Sequence, residues 1–338
     1  MGGGLVPAIP PHEGFDLLRP ARYDGSAMAP WRSTLTAAVL ALLAAALAGC
    51  SAAPYPADAG ESHDPSDQIP LRVMTFNLLN GKHDLHVARW DKRKQLAADC
   101  IKAADPDLLG MQEVLEFQAD YLRKQLPGYG FVGTGRADGK HAGEYVAIFF
   151  KSDRFEKLDE GHFWLSKTPD VPGSKDWLSA VPRIVTWVKL RTREEPVRTF
   201  YHFNTHFDPV SKWAQIESAG LLRRRVAEIA GSSPVIVTGD FNANAGNETH
   251  KTLLGEEGSE GLTLIDGFRA AHPQRQGNEG TYRLPGNVRV PRRIDWILHT
   301  PHFRTVGAAV DLTNDAGRFP SDHYPVVANL SLDAARAE

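Results

Sequence analysis

The stretch PVIVTGDFNAN, residues 234–244, joins an apolar run to a polar turn. The run is rich in β-branched side chains, which are typical of a buried strand. It stops at a glycine, and Asp240 and Asn242 follow two residues apart. Taken alone, these residues predict an ordinary turn at a strand end, because Asp, Asn and Gly all favour turns. A functional role therefore needs support from other parts of the chain.

Polar side chains stand at the ends of other apolar segments as well. They are Asn77, Glu113, Asn204, His206, Asp295, Asp322 and His323. Each one alone has a structural explanation, as a turn former or as a hydrogen-bonded core residue. Together they predict a site, since strand ends can converge on one rim of a sheet sandwich, where charged groups shift one another's pKa values.

The apolar segments that predict β-strands are residues 71–77, 107–112, 145–151, 183–191, 198–206, 234–239, 294–299 and 324–332. Helical periodicity over 87–104 and 212–229 predicts two helices, whose apolar faces include Trp90 and Trp213. This order favours two stacked sheets covered by helices, because each sheet must bury one face. Residues 70–334 show no internal repeat or linker, and we predict that they form one domain.

Two long segments, 152–182 and 268–293, lack periodicity and are predicted to be loops. Loops of this length in a compact domain are commonly functional or mobile. The first segment contains Trp164 and Trp177 among prolines. Two interpretations stay open for these tryptophans: they form the aromatic wall of a pocket, or they pin the loop to the core.

An apolar run of about fifteen residues near the N-terminus predicts export, because it is too short to span a membrane comfortably and ends in small residues. The ending Leu-Ala-Gly-Cys, residues 47–50, resembles a bacterial lipobox. That resemblance implies lipidation of Cys50, which would tether the protein to a membrane surface without spanning it. A plain signal peptide or an anchor helix is the alternative.

These features divide the N-terminal part into three segments. We interpret residues 1–27 as a misannotated extension before a true start at Met28. Residues 28–50 are the predicted lipoprotein signal peptide. Residues 51–69, rich in Ala, Pro, Ser and Asp, are predicted to be a flexible tether. With Cys50 lipidated, Cys100 remains alone, so no internal disulfide can form and a large core must provide the stability.

Composition argues against a strongly basic, DNA-binding protein. Charged residues make up 23% of the chain and the hydrophobic set 42%, which is typical of a soluble globular domain. The formal net charge is −3, and removal of the first 50 residues leaves 35 Lys and Arg against 38 Asp and Glu. The basic footprint of non-specific nucleic-acid binding is therefore missing from the sequence as a whole.

The types of polar residue at the strand ends favour one class of chemistry. Carboxylate and amide oxygens, without a cysteine cluster, favour Mg²⁺ or Mn²⁺ over zinc. Two histidines beside carboxylates suit proton transfer. The sequence has no Gly-x-Ser-x-Gly elbow, so acyl transfer through a covalent enzyme intermediate is disfavoured. A metal, a base and an activated water together indicate hydrolysis of a phosphate ester.

Seven ordered segments, TFNLLN, MQEV, EYVAIFF, NTHFD, GDFN, RIDWIL and SDHYPV, resemble the endonuclease/exonuclease/phosphatase superfamily. The resemblance spans residues 71–332. It implies an α+β fold in four layers, α/β/β/α, with two packed mixed sheets. It also implies a metal-dependent phosphoesterase, with Mg²⁺ as the cofactor and Mn²⁺ as the second choice.

The resemblance further implies a role for each matching residue. Asn77 and Glu113 would hold the divalent ion, and Asp322 would serve a second metal position. Glu144 would orient the catalytic His206.

The remaining matches concern the water and the phosphate. Asp240 would position or deprotonate the attacking water, and Asn242 would donate a hydrogen bond to the phosphoryl oxygens. Asp295 would orient His323, which would bind the phosphate or relay a proton. Arg183 matches a phosphate-contacting arginine of some members. Which histidine acts as acid and which as base stays open.

The sequence thus predicts an exported hydrolase of phosphate esters, tethered to the cell envelope through its lipid and placed at the outer membrane or periplasmic face if the cell is Gram-negative. Its acidic balance favours small-molecule or lipid-like substrates over nucleic acid. An exported Mg²⁺-dependent nuclease is the alternative. A non-catalytic binding module is disfavoured because the full set of expected site residues is present. The sequence contains no feature from which a protein partner can be inferred.

Overall fold

A computed structural model describes residues 68–82, 89–255, 261–275 and 277–333. The predictions for residues 1–67, which are the extension, the signal peptide, the lipidation of Cys50 and nearly all of the tether, lie outside the described residues. Within the described ranges, no helix is long and apolar enough to cross a membrane.

The described residues form strands and helices that alternate along the chain. The strands are β1 (Ile69–Asn77), β2 (Leu108–Val114), β3 (Tyr129–Val132), β4 (Tyr145–Lys151), β5 (Phe155–Trp164), β6 (Ile184–Thr192), β7 (Thr199–His206), β8 (Val235–Asp240), β9 (Ile265–Asp266), β10 (Tyr282–Leu284), β11 (Val288–Val290), β12 (Asp295–His299), β13 (Phe303–Val310) and β14 (Val326–Leu332). The helices are α1 (Trp90–Ala104), α2 (Glu116–Gln125), α3 (Lys212–Ala230), α4 (Glu248–Leu254) and α5 (Gly267–Ala271).

Two six-stranded sheets form the centre of the fold. The first sheet has the order β13-β14-β1-β2-β4-β3, and the second has the order β5-β6-β7-β8-β12-β9. Each sheet is mixed, because β1 runs parallel to β2 and β7 runs parallel to β8, while their other neighbours are antiparallel. A separate hairpin joins β10 to β11.

The two sheets pack face to face through an apolar core. Val73 and Ile148 of the first sheet belong to the same buried cluster as Val188 and Ile236 of the second. Helices α1 and α2 bury apolar residues such as Leu122 against the outer face of the first sheet. Helices α3 and α4 cover the outer face of the second sheet. The predicted four-layered α+β sandwich is therefore confirmed.

All eight predicted strands are present, with ends that shift by at most two residues. The sequence patterns missed all four edge strands of the two sheets, β3, β5, β9 and β13, and β5 occupies the first part of the segment 152–182. The middle residues of β5 and β13 are exposed or half-buried. An edge strand need not be apolar, so its sequence lacks the signal of a buried strand. The segment 268–293 likewise contains α5 and the β10–β11 hairpin.

Three tryptophans show how packing decides what sequence leaves open. Trp164 and Trp177 are buried, and the Trp164 indole Nε1 donates to the Arg136 carbonyl oxygen at 2.7 Å. They therefore pin the segment to the core. The predicted apolar face of α3 was wrong, because Trp213 is 50% exposed and the buried face instead includes Leu222 and Val226.

Candidate active site

Three neighbouring strands of the second sheet bring the main polar side chains together. Parallel pairing aligns His206 at the end of β7 with Asp240 at the end of β8. Antiparallel pairing places Asp295 at the start of β12 directly opposite Asp240. From the first sheet, Asn77 at the end of β1 reaches the same rim, where its Nδ2 donates to Asp240 Oδ2 at 2.9 Å. The predicted convergence of strand ends is therefore present.

His323 is held as a charged donor by two carboxylates. Its Nδ1 lies 3.0 Å from Asp295 Oδ2 and 3.2 Å from Oδ1, while its Nε2 lies 3.8 Å from Asp240 Oδ2. Burial alone would lower the pKa of His323, but the charges of Asp295 and Asp240 outweigh it and raise the pKa well above its ordinary value. Asp295 therefore makes the contact with His323 Nδ1 that an orienting role would require.

Asp240 lies at the centre of this rim and is fully buried apart from 1% of its surface. Its Oδ1 accepts the backbone N–H of Asn242 at 2.9 Å, which forms the tight turn of the GDFN segment. Burial and the nearby charge of Asp295 raise the pKa of Asp240 to about 7. A carboxylate with this pKa can exchange a proton near neutral pH.

His206 lies in a different electrostatic environment. Burial, together with the positive charges of Arg183, Arg136 and His323, lowers its pKa well below the ordinary value, so the ring is neutral. Its Nε2 contacts Asn242 Nδ2 at 3.0 Å, and that amide nitrogen also donates to the Phe207 carbonyl at 2.9 Å.

One role carried over from the resemblance needs correction, that of Glu144. The amide nitrogen of Asn242 contacts His206 Nε2 and donates to the Phe207 carbonyl oxygen, and its role towards a phosphoryl oxygen stays a prediction. Glu144 does not orient His206: its Oε2 pairs with Arg136 Nη1 at 2.6 Å, and its Oε1 accepts from Asn80 Nδ2 at 2.8 Å. Both partners of Glu144 come from segments next to strands of its own sheet, because Asn80 follows β1 and Arg136 lies between β3 and β4.

Glu113 occupies an unusual backbone position. Its φ of 58° places it in the left-handed region, which costs a non-glycine residue about 1 kcal/mol or more and occurs in turns and at functional sites. Its carboxylate accepts from Asn77 Nδ2 at 3.1 Å and from the backbone N–H of Asn80 at 2.9 Å. Burial, Glu144 and Asp322 raise the pKa of Glu113.

This crowding of negative charge fits a cation. Glu113 is half-buried and close to two further carboxylates, Glu144 and Asp322, and a divalent ion would remove the repulsion that raises its pKa. Oxygen donors from Glu113, Asp322 and the Asn77 amide suit Mg²⁺ or Mn²⁺. The Asn77 amide would have to turn, because its Oδ1 now accepts the Leu79 N–H and its Nδ2 faces Glu113.

A second group of side chains also offers metal ligands. Asp240, Asp295 and His323 have ligand atoms that all lie within 4.8 Å of one another. The described residues of this rim therefore offer two candidate metal positions, one at Glu113 and one at Asp240, Asp295 and His323.

Arg183 is the residue in the site with the clearest unmet hydrogen bonds. It is only 6% exposed, and its Nε and Nη1 have no hydrogen-bond partner among the described residues. Asp208 Oδ2 lies 3.9 Å away, but the Asp208 carboxylate already accepts from Ser179 Oγ and two backbone N–H groups. Burial and Arg136 lower the pKa of Arg183 to about 10, and the group stays charged. A buried cation of this kind favours an anionic ligand.

Sequence reasoning missed Asn80, Arg136 and Asp208. Asn80 and Asp208 stand inside the quoted segments TFNLLN and NTHFD, so their position beside assigned residues could have indicated them. Arg136 lies in the segment between β3 and β4, where no pattern in the sequence marks it.

Comparison with known proteins agrees with this architecture. The model of the endonuclease/exonuclease/phosphatase family matches residues 74–323. A solved family member from Bacteroides thetaiotaomicron is 33% identical, with a TM-score of 0.72 over 79% of this chain and 99% of the other. A mannosyl-6-phosphatase from the same organism is also 33% identical, with a TM-score of 0.69 over 77% of this chain and 99% of the other.

A curated relative, mouse nocturnin, is 25% identical over 289 residues, which cover 77% of this chain and 64% of nocturnin. The match thus spans slightly less than two thirds of that relative. Since the family model covers most of the described residues and the solved members share the fold along nearly their whole length, the chain belongs to the endonuclease/exonuclease/phosphatase family.

Proposed function

We propose that the protein is a metal-dependent hydrolase of phosphate esters, with water as the nucleophile. The observation that carries this proposal is the arrangement around Asp240, which has a pKa of about 7 and lies between neutral His206 and protonated His323. A base, a cationic donor and Arg183, whose Nε and Nη1 have no hydrogen-bond partner among the described residues, thus share one rim. These are the groups that in-line attack of water on phosphorus requires.

The charge of each side chain indicates its role in the reaction. Ionised Asp240 would accept the proton of the attacking water. His323 would donate through Nε2 to a phosphoryl oxygen, while Asp295 holds its Nδ1. Arg183 would add a second cationic donor to the phosphoryl group. A divalent ion held by Glu113, Asn77 and Asp322 would supply Lewis-acid stabilisation of the developing charge.

We further propose a small-molecule or lipid-like phosphate ester as the substrate and the cell envelope as the location. The net charge of −3 supports a small substrate over a long polyanion. A relative that is 33% identical is a mannosyl-6-phosphatase, which supports a phosphorylated small molecule. The lipobox-like residues 47–50 support export and a lipid anchor at Cys50, with Mg²⁺ favoured over Mn²⁺ as the metal.

Two chromogenic esters test this proposal. We expect the protein to hydrolyse p-nitrophenyl phosphate, bis-p-nitrophenyl phosphate or both, to lose the activity in EDTA and to regain it with Mg²⁺ or Mn²⁺. Glu113→Gln should require much more metal than the unmodified protein. Hydrolysis of neither ester at any metal concentration would leave only a binding role, and activity that survives EDTA would contradict the metal site.

A further inference from the structure

A group of buried polar residues lies between the two sheets, directly beneath the candidate site. We call Thr75, Gln112, Asn204 and Thr238 the inter-sheet polar cluster; none of the four is exposed to solvent. Each stands one or two positions before a site residue on its own strand. The site residues that follow them are Asn77, Glu113, His206 and Asp240.

Asn204 makes four side-chain hydrogen bonds, and three of them join the two sheets. Its Oδ1 accepts from Gln112 Nε2 at 2.7 Å and from Thr238 Oγ1 at 3.0 Å. Its Nδ2 donates to the Met111 carbonyl at 2.9 Å and to the Ala147 carbonyl at 2.8 Å. The full capacity of the side-chain amide is therefore used. One residue of β7, in the second sheet, thereby fixes β2 and β4 of the first sheet.

These bonds fall at a β-bulge. The pairing of β2 with β4 passes from Met111 opposite Ala147 to Val114 opposite Tyr145. Gln112 and Glu113 therefore face a single residue of β4, and Glu113 takes up its left-handed φ there. Such a bulge interrupts side-chain alternation and re-aims the side chains next to it. Asn204 binds the carbonyl groups of the residue pair that immediately precedes the bulge.

The close approach of the sheets at this point depends on a glycine. A Cβ on Gly110 of β2 would lie 2.1 Å from Thr238 Oγ1 and 2.7 Å from Asn204 Oδ1. Only glycine leaves room for these two side chains of the second sheet. The side chain of Asn204 can therefore approach β2 this closely only because residue 110 is a glycine.

We propose that Asn204 is a positioning residue, which holds the bulge on β2 and thereby fixes Glu113 relative to Asp240. This inference rests on the proposed function, because it assumes that Glu113 binds the metal ion. Asn204 touches neither metal nor substrate. It acts through the Met111 carbonyl and the Gln112 side chain, which belong to the two residues directly before Glu113 on β2.

The test measures metal binding without substrate. We expect Asn204→Leu, in the full-length protein, to bind Mn²⁺ about 10–100-fold more weakly, as is typical when a group that orients a metal ligand is lost. The measurement is a titration in which the free Mn²⁺ signal is followed by electron paramagnetic resonance. Ile236→Ala is the matched control, because Ile236 lies on the same face of β8 as Thr238, two residues farther from the site, and is fully buried. It should lose stability but keep its Mn²⁺ affinity.

If Asn204→Leu does not fold, two less disruptive variants of Thr238 test the positioning role of Asn204. Thr238→Val removes the hydroxyl that donates to Asn204, and Thr238→Ser keeps it. We expect weaker Mn²⁺ binding in the first and nearly unchanged binding in the second. Affinity equal to that of the unmodified protein in folded Asn204→Leu, or in Thr238→Val where the leucine variant fails to fold, would overturn the inference.

A different result would refute the proposed metal site. If the unmodified protein and Glu113→Gln bind Mn²⁺ equally, Glu113 is not a metal ligand, and the positioning role of Asn204 is refuted as well. If Glu113→Gln binds more weakly and Asn204→Leu does not, only the positioning role is refuted.

Discussion

His206 and His323 flank the same carboxylate but hold different charges. Arg183 and Arg136 lower the pKa of His206, whereas Asp295 and Asp240 raise that of His323. The resemblance left the roles of the two histidines open, and the structure separates them by environment. A cationic His323 can donate to a phosphoryl oxygen. Neutral His206 cannot serve as a strong acid, and its Nε2 lies 3.0 Å from the Asn242 amide nitrogen and 3.4 Å from Asp240 Oδ2.

We predict that Asp240→Ala and His323→Ala each lower kcat for a chromogenic phosphate ester by about 100-fold or more, since each removes a proton acceptor or a charge-stabilising donor. His162→Ala is a suitable control, because His162 lies on β5 outside the site and contacts Thr186. Steady-state kinetics with saturating metal gives the comparison. Near-normal kcat in either site variant, with circular dichroism showing an intact fold, would refute the assigned roles.

At the scale of elements, the sequence predicts the central strands well and the site geometry only in part. The strand PVIVTG is recognisable because both of its faces are buried, and Asp240 follows from its place at the strand end. The orientation of Glu113 could not be predicted, since it depends on a bulge whose carbonyl groups are held by Asn204 from the other sheet. The partners of Glu144 were mispredicted because Arg136 lies in a segment without periodicity.

A buried ion pair connects three further elements behind the site. Asp266, at the end of β9, accepts from Arg293 Nη1 at 3.1 Å and also pairs with Arg293 Nη2. It accepts from His250 Nε2 of α4 at 2.9 Å as well. The His250 ring packs edge-on against Trp296, whose ring stacks on Phe241 between the two polar residues of the GDFN turn. The pair therefore supports the turn that carries Asp240.

We predict that Asp266→Asn lowers the free energy of unfolding by roughly 3–5 kcal/mol at pH 7, the usual cost of breaking a buried pair. Burial would raise the pKa of Asp266, but His250 and Arg293 lower it far below its ordinary value. The stabilisation is therefore complete above the unfolded pKa of about 3.9 and is lost as the pH falls below it.

Urea unfolding at pH 7, 5 and 3 measures this effect. The difference between the unmodified protein and Asp266→Asn should be equal at the two higher pH values and smaller at pH 3. Asp315→Asn, in an exposed pair with Arg318, is the control and should cost less than about 1 kcal/mol. A difference that grows at low pH would contradict the assigned charge state.

At the scale of the whole molecule, net charge separates the proposed small-ester hydrolase from a nuclease. With a formal charge of −3, the chain has no overall attraction for a polyanion, although we propose that Arg183 binds a single phosphate inside the site. A protein that contacts 6–10 phosphates of a nucleic acid loses about 10³–10⁵ in affinity between 50 and 200 mM salt. One buried phosphate contact has no comparable salt dependence, because a buried charge pair is screened much less than exposed charges.

We therefore predict that kcat/KM for a small phosphate ester changes less than about threefold between 50 and 200 mM NaCl at fixed Mg²⁺, since it depends on buried rather than exposed charges. A single-stranded oligonucleotide, assayed under the same conditions, should be a poor substrate at every salt concentration. The two assays share enzyme, metal and pH, so any difference reflects the ligand. Efficient cleavage of the oligonucleotide at 50 mM NaCl that falls steeply by 200 mM would instead favour the nuclease, because it would require an extended phosphate-binding surface beyond Arg183 and His323.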